Sequence, residues 1–114
     1  MDQLVQTKGD GWRFPCPLAV SKDFLGVTDP IDLAWMAPRI GDQPYKTLTQ
    51  PLQLTFVNSD KSFKRTYVQL TEEFAEHAGR AKSEGFRFFQ MLTGGHDAMV
   101  TKPKELVQIF NELV

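Results

Sequence analysis

The sequence predicts an α/β domain built around a small parallel sheet, and three stretches carry that prediction. Phe86, Phe88, Phe89, Met91 and Leu92 set large apolar side chains on both sides of a pleat, because successive strand residues point to opposite faces. A strand apolar on both faces belongs inside a covered parallel sheet. Thr66-Tyr67-Val68-Gln69-Leu70 is rich in β-formers and reads as a second strand. Between the two lie about fifteen residues, enough for the crossover that parallel strands require.

Taken in order, residues 1 to 27 show no sustained period. Trp12, Phe14, Pro15, Pro17, Leu18, Val20, Phe24 and Leu25 are scattered among prolines and charges, so mostly irregular structure is expected. A helix signal begins at Asp29, a good N-cap, with Pro30 suited to the first helical position and Asp32 placed near the positive end of the dipole. It runs through Leu33 to Ala37 and stops at Pro38. Residues 41 to 50 read as loop, 51 to 56 as a short extended segment, and Asn58 to Lys61 as a polar turn.

The crossover reads as a helix. Glu72 and Glu73 suit its first turn, Phe74, Ala78 and Ala81 fall on one stripe, and Gly85 ends it. After the strand at Phe86, the run Thr93-Gly94-Gly95 breaks the chain and His96 follows. A last helix opens at Pro103, and Leu106, Val107, Ile109, Phe110, Leu113 and Val114 recur at helical spacing, so one of its faces should be buried.

With 114 residues, 41% of them hydrophobic, and a net charge of −1, the composition fits one globular domain. Thirteen basic residues are interspersed with 14 acidic ones, and the short cluster Lys61, Lys64, Arg65 reads as a solvated loop, so no nucleic-acid partner is expected. No run approaches membrane-spanning length, and the first residues lack the basic start and apolar centre of a signal peptide. No membrane partner and a cytoplasmic location are the expectations. The single cysteine, Cys16 between Pro15 and Pro17, cannot form an internal disulfide. No metal-ligand cluster, P-loop or dinucleotide fingerprint is present, and no cofactor is expected.

His96 is the leading candidate for chemistry, since α/β sheets place their sites at the carboxyl ends of strands. His77 lies within the crossover helix and reads as solvent-facing. The string Gly94-Gly95-His96-Asp97-Ala98-Met99, followed by Lys102-Pro103-Lys104-Glu105-Leu106, resembles the histidine loop and last helix of α/β-hydrolase-fold esterases, in the branch of plant methyl esterases, hydroxynitrile lyases and bacterial relatives. The likeness extends upstream through Asp29-Pro30-Ile31-Asp32-Leu33-Ala34-Trp35 and Arg65 to Leu70.

The resemblance implies the C-terminal part of such a fold, with an incomplete sheet. Residues 1–28 would be a lid-like irregular segment, and 29–114 a core portion with two parallel strands, a crossover and C-terminal helices. His96 would be the general base of a Ser-His-acid triad. Its acid would follow the preceding strand, at Glu72 or Glu73, where the family more often carries Asp; Asp97 is too close along the chain to be the natural orienting partner.

The nucleophile elbow Gly-x-Ser-x-Gly is absent, since Ser21, Ser59, Ser62 and Ser83 all lack it, and Cys16 sits on no strand-to-helix turn. The expectation is therefore little or no ester hydrolysis by the chain alone, with a small-molecule ester as substrate once a missing half is supplied. Self-association or complementation would use the open sheet edge. The rival expectation is a non-catalytic interaction or small-ligand-binding module derived from a hydrolase.

Overall fold

The computed structural model describes residues 2–16, 20–53 and 63–114. It is a mixed structure of short helices and two small sheets, one antiparallel and one parallel. The polar turn at Asn58 to Lys61 and the Leu54–Phe56 part of the expected extended segment lie outside the described residues. Residues 51–53 carry no regular structure.

The parallel sheet forms where the sequence predicts it. Strand β3, Thr66–Gln69, pairs with β4, Arg87–Gln90, in the register Thr66 to Arg87 through Gln69 to Gln90. Tyr67 and Phe88 stack across that register with centroids 6.4 Å apart, and Lys82 Nζ lies 3.9 Å over the Phe88 ring. The crossover opens with a 3-10 turn, Glu72–Phe74, and continues as α4, Ala75–Ser83. Ala78 and Ala81 are buried, as their stripe predicts, and small side chains let a helix approach a sheet closely. Gly85, at φ 78°, ends the crossover in the left-handed region that glycine reaches without strain.

The helix that follows Asp29, α2, Pro30–Met36, is capped as expected: Asp29 Oδ1 accepts from the Ile31 N–H at 2.8 Å. Its Ile31 and Trp35, four residues apart on one face, remain exposed. The guanidinium of Arg39 stacks 4.1 Å over Trp35.

Three expectations need correction. The amino-terminal stretch is not mostly irregular, because Asp2–Lys8 forms a helix, α1, with Val5 fully buried, and Arg13–Phe14 forms a short strand, β1. A π-type turn spans Val20–Phe24. The loop at 41 to 50 contains strand β2, Gln43–Pro44, and a single-turn helix, α3, Lys46–Thr49. These elements are held by contacts distant in sequence: Arg13, which also pairs with nearby Asp10, reaches Asp42 at 2.5 Å, Tyr45 N–H donates to Trp12 O at 2.8 Å, and Tyr45 Oη donates to Asp2 Oδ1.

The third correction concerns the final helix, α6, Pro103–Asn111. Leu106 is buried and Ile109 half-buried, but Val107 and Phe110, on the same broad apolar arc, are 52% and 49% exposed. The arc is therefore covered only along one side. A further short helix, α5, Ala98–Thr101, precedes it, with Ala98 fully buried. Among the described residues no helix is long and apolar enough to cross a membrane.

Candidate functional site

The site is assembled from the two loops that leave the parallel strands at their carboxyl ends. After β3 the chain runs through Leu70 and Thr71 into the turn carrying Glu72 and Glu73; after β4 it runs through Leu92 and Thr93 to Gly94, Gly95 and His96. Because the strands are parallel and adjacent, both loops emerge at the same end of the sheet.

A cleft of about 300 Å³ lies between them, lined by Leu70, Thr71, Glu72, Glu73, Leu92 and Gly95 together with Asp23, Phe24 and Gly26 from the amino-terminal segment. Its walls are mixed. Phe24 and Leu92 are exposed apolar side chains, and three carboxylates stand on its rim.

Gly95 has the geometry that the glycine pair suggests, with φ at 69°. A Cβ there would come within 2.7 Å of the backbone oxygens of both Leu25 and Gly26, so the position requires glycine for space as well as for dihedral angle. The neighbouring His96 N–H donates to Leu25 O at 2.7 Å. This bond ties the histidine loop to the amino-terminal segment. Gly94 is packed too: its carbonyl accepts from Thr101 Oγ1 at 2.5 Å, and an added Cβ would meet that side chain and Lys102.

The half-buried ring of His96 stacks on Phe74, with centroids 4.8 Å apart and planes 28° from parallel. Phe74 directly follows Glu73, so the turn that carries both candidate acids is packed against the candidate base. The ion pairs among the described residues are Arg13 with Asp10 and Asp42, and Glu84 with Arg65 and Arg80; none involves His96, Glu72 or Glu73. Both glutamates are exposed. Asp97 is half-buried, and its Oδ2 has no hydrogen-bond partner among the described residues.

His77 is exposed, as expected, yet its ring meets Phe74 edge-on at 5.9 Å. The two histidines of the chain thus flank a single phenyl ring. Thr71 Oγ1, at the wall of the cleft, is buried without a hydrogen-bond partner among the described residues. Sequence reasoning did not assign Thr71, Phe74 or Asp23 to the site. The only available signal was position, since all three lie in segments adjoining the predicted strand ends or lid. Cys16 is a half-buried free thiol, and among the described residues no cluster of three or more His, Cys, Asp or Glu is placed to hold a metal ion.

The arrangement offers an imidazole, two carboxylates and an open, partly apolar cleft at one sheet end. Compared with known proteins, the chain matches no family model, and neither the curated proteins nor the solved structures give a match.

Proposed function

We propose that this chain is the C-terminal portion of a carboxylic ester hydrolase of the α/β-hydrolase type, supplying the general base and its orienting acid. The observation that carries the reading is the packing of the Glu72–Phe74 turn against His96 at the carboxyl ends of two adjacent parallel strands. In a complete site a serine hydroxyl, borne by another stretch of polypeptide, would attack the ester carbonyl while His96 accepts its proton. His96 would then return that proton to the leaving alcohol, and water would release the acyl group by the same relay. Glu72 or Glu73 would accept from the other ring nitrogen and stabilise the imidazolium.

The sequence contains no Gly-x-Ser-x-Gly, so the chain by itself has a base without a nucleophile. The purified chain should be silent toward a fluorogenic short-chain ester. Mixed with a polypeptide segment that carries a strand-elbow-helix nucleophile, it should gain turnover, and His96→Ala should lower that turnover by about 10²- to 10⁴-fold. Of Glu72→Gln and Glu73→Gln, the one that reproduces the loss identifies the acid. Persistent silence in the mixture, from a chain shown to be folded, would remove the hydrolase reading.

A second reading has its own support. Among the described residues His96 is stacked on Phe74 and makes no ion pair, which suits a non-catalytic module that holds a small apolar ligand between Phe24 and Leu92. Such a module would bind an ester without turnover, and His96→Ala would leave binding unchanged.

A further inference from the structure

Among the described residues, strand β3 pairs through only half of its backbone groups. In the parallel ladder Arg87 N–H donates to Arg65 O and Met91 N–H to Gln69 O, each at 2.9 Å, so the odd-numbered residues of β3 face β4. By the same alternation Thr66 and Val68 turn both N–H and C=O to the opposite edge. Among the described residues no strand pairs there.

A two-stranded sheet is marginal by itself, and parallel sheets occur almost always as larger, covered assemblies. The chain also exposes far more surface than its mass warrants. Its accessible area is 8758 Å², against about 6,300 Å² for a compact chain of this mass. Its radius of gyration is 16.9 Å, against about 13 Å for a compact chain of this length.

The β3 edge is complementary to itself in one register. Pairing two copies antiparallel about a two-fold axis at Tyr67 sets Thr66 of each opposite Val68 of the other, and these are the residues whose backbone groups point outward. Tyr67 then faces Tyr67 of the second copy in a non-hydrogen-bonded position, where side chains approach most closely. The existing Tyr67–Phe88 stack, with planes 3° apart, would continue as an aromatic row across four strands. Arg65 falls opposite Gln69 of the second copy, so no like charges meet. A register centred on Val68 would set Tyr67 against Gln69, and one centred on Thr66 would set it against Arg65; both lose the aromatic pair.

We propose that the outer edge of β3 is a homodimer interface, joining two copies antiparallel at Tyr67 into one four-stranded sheet. The proposal does not rest on the hydrolase reading and competes with it for this edge, because a complementing half would pair with the same side of β3.

Sedimentation velocity on the purified chain at micromolar concentration should give a dimer. Val68→Pro removes an N–H that faces the open edge and none that serves the β3–β4 ladder, so it should give a folded monomer. In a Cys16→Ser background, Tyr67→Cys should form an intermolecular disulfide under mild oxidation, whereas Phe89→Cys, on β4, the outer strand of the expected four-stranded sheet, should not. A monomeric parent chain overturns the proposal, including one that associates only with a segment bearing the nucleophile elbow. So does a dimer that survives Val68→Pro with an unchanged circular-dichroism spectrum. If Val68→Pro fails to fold, the cross-link decides: its absence at Tyr67 overturns the proposal and its selective formation upholds it.

Discussion

Gly95 is the residue on which the candidate site turns. Its positive φ and the 2.7 Å approach of two backbone oxygens leave no room for a side chain, and neither neighbour is a flexible tip that can swing away. Gly95→Ala should therefore destabilise the fold by about 1–3 kcal/mol, measurable as a lowered urea midpoint. A midpoint unchanged within error would show that the Leu25–Gly26 segment is not held against the histidine loop. The importance of this glycine was legible from its place between strand and histidine. What lies across from it was not, because Leu25 and Gly26 are seventy residues upstream in a stretch without period. Phe74 was hidden for a related reason. Its spacing fits the apolar stripe of the crossover helix, and only the 3-10 turn at Glu72 re-aims it toward His96.

Among the elements, those with strong local signals appear as the sequence predicts. The Asp29-Pro30 start, the β-rich Thr66 stretch, the Ala78–Ala81 stripe and the stop at Gly85 each rest on chemistry confined to a few neighbouring residues. Helix α1 and strands β1 and β2 were missed because their order comes from Arg13, Tyr45 and Asp2, side chains joined across the chain. The C-terminal end of α4 carries a pH-dependent feature. Glu84 accepts from Arg80 Nε at 2.8 Å, and this bond, with the charge of Arg80, holds its carboxyl below the usual carboxylate range. A lowered folded-state value means that the pair stabilises the chain above the unfolded carboxylate range and loses that contribution as the pH falls through the folded one. Glu84→Gln should therefore lower the melting temperature slightly at neutral pH, with the difference from the parent vanishing in strong acid. A difference that grows on acidification would contradict this sign.

On the scale of the molecule, the fully buried large side chains among the described residues are few, Val5 and Val27, and the rest of their core is built largely of alanines, Met36 and Leu106. Broad apolar surface stays exposed at Ile31, Trp35, Val107 and Phe110. The sequence pattern showed that these positions are apolar, but it could not show that helix α6 is covered along only one side, since coverage depends on what packs there. If the β3 edge joins two copies, folding and association are linked, and the unfolding midpoint should rise with protein concentration. A midpoint constant across a hundredfold dilution series would mean that the monomer stands alone.

The placement of Phe74 between His77 and His96 gives the chain an internal reporter. An aromatic ring shields or deshields nearby protons by its ring current, and both imidazoles lie within 6 Å of this one, at 5.9 and 4.8 Å between centroids. Their carbon-bound protons therefore sense the same phenyl group from two directions. The Glu72–Phe74 turn borders the cleft, so a molecule that displaces it would move the signals of both histidines at once, with no label introduced.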